Sequence, residues 1–269
     1  MAGKEQERHP WPQPVLRLAG EGAVHIAFES LSPDVAPDAV LALDGALAAA
    51  FAALATAEGS GHALAPLAAA VIEQVPTIRA LTVFFDPGRI KAEAALAALE
   101  AFVAAGAWRR TRPRPGAEWE IPAVYGGDAG PDLAPLAEML RMSPEEVVRR
   151  HAAARQRVTM LGFAPGSAYL DGLPALFDVP RRRELRPIPA GAVIVALRQT
   201  VLTSVPMPTG WYHIATTPLR LFDPARRWPF LLAPADRLRL VPITPEEAEA
   251  LDPKPFWQQA AAREQRRAG

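Results

Sequence analysis

Between residues 158 and 241 every apolar run is short, and a proline or glycine stands near most of the breaks. Proline lacks an amide donor and glycine favours turns, so such a stretch has no room for a long helix. Runs at 158–163, 192–197, 211–215, 219–222 and 238–241 read as strands, and their spacing favours a compact β-barrel or sandwich. Upstream of them EIPAVY is a further strand. SPEEVVRRHAAARQ is a helix with Ser143 as N-cap, Pro144 at the first position and Glu146 closing a capping box.

The first 110 residues have a different texture. A leader over residues 1–13 reads as disordered. VLRLAGEGAVHIAFES alternates around Gly20-Glu21-Gly22 as a β-hairpin, and Asp38 is placed to cap an Ala-rich helix running to about Ala57. A second helix is expected from about Ala65 to Glu73, and a strand in TIRALTVFFDP. A further helix follows, with Gly106 as its stop. The composition shift at RRTRPRPGAEWE marks a linker. The chain therefore reads as an α+β N-terminal domain (14–112), a β domain of barrel or sandwich type (118–243) and a helical tail (244–269) with a frayed, charged end.

Composition excludes several chemistries. The chain has no cysteine, which removes thiol catalysis, disulfides and Cys-ligated zinc. It has 29 basic and 29 acidic residues, so bulk charge drives it neither to nucleic acid nor to an anionic membrane. Residues 40–57 form the most apolar run, interrupted by Asp44 and Gly45 and mostly alanine, which is weak for a membrane span. The N-terminus has no signal-peptide pattern, so a cytoplasmic protein is expected.

Motif tests are mostly negative. There is no phosphate-loop pattern, and a strand follows the Gly20-Glu21-Gly22 start of a dinucleotide fingerprint. Pro165 and Tyr169 replace the flanking glycines of a nucleophile elbow at Ser167. The five histidines lack metal-ligand spacing. His151 reads first as an exposed or interfacial helix residue, with acid-base work the alternative. The run PRRRELRPIPAG reads as a solvated loop or as an anion contact, since guanidinium matches carboxylate and phosphate geometry.

Taken together, GFAPGSAYLDGLP, EIPAVYGGDAGPDL, PRRREL, IPAGAV, RQT, PTGW, TPLRLFDP and PADRLRLVPI resemble a family. It is that of the B-type subunit of bacterial 5-oxoprolinase, also described as allophanate hydrolase subunit 1 and as the Kip-type kinase inhibitor. The resemblance implies a small α+β domain followed by a cyclophilin-like β-barrel. It implies a companion carboxyltransferase-type subunit of related barrel fold and a (β/α)-barrel subunit. The implied reaction is ATP-dependent opening of 5-oxo-L-proline to L-glutamate, with magnesium accompanying ATP and no covalent cofactor. A non-catalytic regulator of the same fold, or an amide- or urea-type hydrolase subunit with another substrate, are the alternatives.

Carried onto this chain, Phe163, Pro165, Gly166 and Tyr169 become a pocket wall. Arg181 and Arg186 become anion contacts, Gln199, Thr200, Gly210 and Trp211 lie on facing segments, and His151 is the acid-base candidate. The chain departs from the family pattern at Ser167 (a phenylalanine in the motif) and at Asp171 and Ala235 (both glycines). Further departures are Val201 to Ser204, Thr209, and Ala215-Thr216, the last losing an arginine.

Overall fold

The computed structural model describes residues 11–32, 35–56, 62–111 and 116–268. The expected leader and linker fall partly outside these. The chain forms two compact units, Met1–Arg114 and Pro115–Gly269.

In the first unit β1 (Val15–Leu18) and β2 (Ala23–Ala27) form the expected hairpin. Then come α1 (Ala36–Thr56), a short α2 (Ala65–Ala68), β3 (Val71–Pro76), β4 (Ala80–Phe85) and α3 (Ala92–Ala105). The sheet is antiparallel with order β1-β2-β4-β3. Helix α1 starts two residues before Asp38, which lies in its first turn, where a carboxylate suits the positive end of the helix dipole.

α1 is long and apolar enough to cross a membrane by length and composition, yet 44% of its apolar window is buried. Val40, Leu43, Leu47 and Phe51 recur at helical spacing and join one cluster with Val24, Ile26, Leu81 and Val83 of the sheet. Residues 71–73 are strand and not the end of a helix. Val71, Ile72 and Val75 are β-branched, and β3 is an edge strand, where Pro76 is tolerated.

The second unit begins with β5 (Glu118–Tyr125), α4 (Leu133–Leu140), α5 (Pro144–Ala153), β6 (Gln156–Leu161) and β7 (Ala168–Asp171). It continues through β8 (Arg186–Ile188), β9 (Ala192–Ala196), β10 (Gln199–Leu202), β11 (Met207–Thr209) and β12 (Tyr212–Thr216). It ends with β13 (Arg237–Pro242), α6 (Pro245–Glu249) and α7 (Lys254–Ala268). Seven strands close a barrel in the order β10-β7-β6-β13-β5-β12-β9, and β8 pairs with β11 outside it. The chain is thus α+β with a closed barrel in its second unit. Val158, Leu170, Val193, Val195, Leu202, Ile214 and Leu240 belong to the barrel core.

Three local expectations differ from what forms. Ser143 Oγ accepts from the Glu146 amide, but the Glu146 carboxylate binds Arg149 and Arg150 and does not reach back. Residues 219–222 form no strand, only a single bridge between Phe222 and Phe230. The C-terminal segment is not frayed through α7: Trp257 and Ala260 belong to the barrel core, and Arg263 is buried. Arg263 binds the buried Asp236 carboxylate, which also accepts from Ala117 N, Ala233 N and Trp119 Nε1.

Candidate functional site

Strand alternation sorts the predicted site residues onto two sides of the barrel wall. Across β7, β10, β9 and β12, Leu170, Thr200, Val195 and Tyr212 stand in register, as do Tyr169, Val201, Ile194 and His213 one step along. Leu170, Val195 and Tyr212 belong to the barrel core. Ile194 and Val201 instead join Ile188 and Ala192 in a small cluster against which Tyr169, Met207 and Trp211 pack. The Tyr169 and Trp211 rings meet edge-to-face at 6.3 Å. Burial raises the Tyr169 phenol pKa, against the opposing charge of Arg181.

The arginine run beside this face is divided in its duties. Arg182 grips the buried Asp132 carboxylate with both terminal nitrogens, donates to Trp211 O at 2.8 Å and lies 4.9 Å from the Tyr212 ring centre. His213 N donates to Asp132 Oδ2 at 2.9 Å, and Asp132 N donates to His213 O at 2.9 Å. Arg186, half exposed, stands 3.5 Å from Asp132. Burial pushes the Asp132 carboxyl pKa up, but the hydrogen bonds from Arg182 and His213 and the two guanidinium charges outweigh it, so the net shift is down. Arg181 is exposed and forms no ion pair among the described residues.

The loop joining β6 to β7 carries the most distinctive motif. Phe163 sits there at φ 65° with 74% of its surface exposed, between Gly162, whose N donates to Ser167 O, and Ala164. Pro165 is exposed beside it. Gly166 is needed for packing: it has φ 82°, and a Cβ there would stand 2.7 Å from Phe222 Cβ. Ser167 is buried, 3.0 Å from Ser204 Oγ, and accepts from Ser204 N. Asp171 forms an ion pair with Arg157 at 2.6 Å.

One expectation is overturned, the exposure of His151. His151 is fully buried, with Nδ1 2.7 Å from Tyr125 Oη and Nε2 2.9 Å from Thr200 Oγ1. Burial pushes its pKa down to about 3, which favours the neutral ring, and with both nitrogens engaged it bridges Tyr125 and Thr200 in the interior and is not an exposed helix residue. Thr200, its partner, is likewise wholly buried. Gly210 lacks a side chain because Arg182 O lies 2.5 Å from where its Cβ would stand, and Arg182 N donates to Gly210 O at 2.7 Å. Its constraint is a chain crossing. Gln199 is half-buried at the start of β10.

The structure thus gathers Tyr169, Trp211, Arg181 and Arg186 around one outer face, leaves Phe163 and Pro165 on an exposed loop, and removes His151 and Thr200 to the interior. Asp132 was missed by sequence reasoning, and Arg182 stood only as one arginine of the PRRREL run. Their signal lay in the quoted GGDAGPDL and PRRREL segments, but which arginine meets which carboxylate is set by the fold. Among the described residues no three His, Asp or Glu side chains gather as a metal site.

Residues 15–232 match the family described as carboxyltransferase domain, subdomain C and D. The curated relatives include the 5-oxoprolinase B-type subunit of Escherichia coli O157:H7, 47% identical over 124 residues, covering 46% of this chain and 57% of that protein. The Bacillus subtilis (strain 168) protein of the same name is 42% identical over 132 residues, covering 49% and 55%. This chain spans just over half the length of the curated relatives it matches. Among solved structures, TTHA0988 has 28% identity and a TM-score of 0.62, covering 86% of this chain and 41% of that one. Urea amidolyase of Kluyveromyces lactis, 14% identical with a TM-score of 0.61, covers 98% of this chain and 18% of its own, and shows the shared fold. With a closed barrel, the motifs on its wall and a family match across most of its residues, the chain belongs to the carboxyltransferase domain, subdomain C and D, family that includes the B-type subunits of 5-oxoprolinase.

Proposed function

We propose that this chain is the B-type component of a cytoplasmic 5-oxoprolinase-type complex that couples ATP hydrolysis to opening of 5-oxo-L-proline to L-glutamate. The observation that carries the reading is the match, at 37–47% identity, to proteins named as this component of 5-oxoprolinase. An unstrained lactam is a poor electrophile. Transfer of the γ-phosphoryl group of ATP to its amide oxygen, with ADP leaving, makes the carbon open to water; ring opening then releases inorganic phosphate, and donors facing the developing negative charge assist both steps.

In this reading the residues of the outer face bind and orient. Arg181, not engaged in an ion pair among the described residues, meets a ligand anion, while Tyr169 and Trp211 form perpendicular aromatic walls. Arg182 holds Trp211 in place through its carbonyl while anchored on Asp132. Arg181 and Arg186 fit the charge of ATP phosphates or of the substrate carboxylate. Magnesium, if it accompanies ATP, takes its ligands from the nucleotide and water or from a companion subunit.

With His151 sealed in the barrel, we assign the proton-transfer group to a companion subunit, either the related carboxyltransferase-type chain or the (β/α)-barrel chain. That same burial favours a second reading: a non-catalytic partner or regulatory subunit of this fold. The deciding experiment purifies the chain with both companions and measures 5-oxoproline-dependent phosphate release. Turnover that falls on Arg181→Ala supports the first reading. An intact complex without turnover removes the substrate assignment.

A further inference from the structure

A cleft of about 750 Å3 lies on a different part of the barrel wall, over β5, β13, β6 and the end of β7, and contains none of the residues assigned above to the Tyr169–Trp211 face. Its volume is in the ordinary range of small-molecule sites, roughly 300–1,000 Å3. Across the four strands the register aligns Glu118, Arg237, Arg157 and Asp171. The carboxylates stand on the outer strands and the two arginines face each other across the middle.

Like charges directly opposite one another in an antiparallel ladder oppose folding. Asp171 offsets Arg157 at 2.6 Å, and Glu120 takes Arg239 one rung along. Arg237 and Arg155 form no ion pair among the described residues, although Glu118 is the neighbour of Arg237 in register. Arg155 lies one residue before β6 and lines the same cleft as Arg157. Ala152 and Ala153, at the end of α5, are small and leave that side of the cleft open. Four guanidinium groups and the carboxylates of Glu118, Glu120 and Asp171 therefore border one ligand-sized space; Asp171 and Glu120 are taken by Arg157 and Arg239, which leaves Arg155 and Arg237 to face an incoming anion.

We propose that this cleft binds a small oxyanion of the phosphate or diphosphate class, gripped by Arg155, Arg157 and Arg237. Guanidinium forks match such oxygens two at a time, and a dianion between Arg157 and Arg237 relieves their opposition. Asp171, one of the departures from the family motif, holds Arg157 in place at the border of the site. The proposal stands apart from the reaction suggested above, since it concerns binding by this chain alone.

The test uses the full-length chain and follows its thermal midpoint with inorganic phosphate, pyrophosphate and ADP, each against sodium chloride at equal ionic strength. Pyrophosphate is expected to raise the midpoint beyond the chloride control. Arg155→Gln and Arg237→Gln each weaken that binding by about tenfold or more, the loss of one charge-assisted contact. Arg149→Gln, whose guanidinium pairs with Glu146 and does not line the cleft, leaves it unchanged. A larger response to ADP than to phosphate identifies a nucleotide as the source of the anion, whereas equal responses identify the free ion. Arg155, Arg237 and Arg149 are all exposed, so the variants are expected to fold, which circular dichroism checks. No response beyond chloride, a response unaltered in both Arg155→Gln and Arg237→Gln, or an equal loss in Arg149→Gln overturns the proposal.

Discussion

At Ala235 the main chain takes φ 73°, a left-handed turn that a Cβ disfavours, in the position where the family motif carries glycine. The turn is kept because Ala235 N donates to Val158 O and Asp236 N to Ala233 O, which sets Asp236 under Arg263. Ala235→Gly is therefore expected to stabilise the chain by about 1 kcal/mol, measured by urea unfolding. His151 makes a second prediction at this scale. Its folded pKa is about 3 and its unfolded value 6.5, so between these values the unfolded chain takes up a proton that the folded chain refuses. Stability is then complete above about pH 6.5 and falls as pH drops toward 3, by up to ~1.4 kcal/mol per pH unit. His213, also lowered by burial, acts in the same direction. His151→Gln is expected to flatten the slope of unfolding free energy against pH in that window, and an unchanged slope would refute the assignment.

At the scale of elements, two buried ion pairs tie segments distant in sequence. Asp132 and Arg182 join the turn before α4 to the arginine run and the start of β12. Arg182→Ala leaves a nearly buried carboxylate with only His213 N and the more distant Arg186, and a loss of about 3 kcal/mol is expected in chemical denaturation. Asp236 and Arg263 fasten α7 to the barrel, and Arg263→Ala carries a similar expected loss, about 3–5 kcal/mol. Neither pair was legible in the sequence, where Arg182 is one of three adjacent arginines and Arg263 sits in a charged tail. Periodicity reads which side of an element is buried, but it does not say which polar group finds a partner there. The short strands β7, β8, β10 and β11 were hidden for a related reason. Three or four residues are too few for an alternating pattern, and their pairing comes from neighbours across the barrel.

For the whole molecule, the order of residues was enough to read an α+β unit and then a run of short strands broken by proline and glycine, with barrel and sandwich both open until the family resemblance pointed to the barrel that forms. Local chemistry sufficed for this, because hydrophobic spacing, turn residues and helix caps act over a few positions, and the ordered motifs pointed to the family. The site, by contrast, came from contacts between distant segments. Folding turned His151 inward to Tyr125 and Thr200, engaged Arg182 with Asp132, and left Arg181 beside Tyr169. It also set Arg157 opposite Arg237 from strands far apart in the chain, since strand register and desolvation depend on residues that no local window contains.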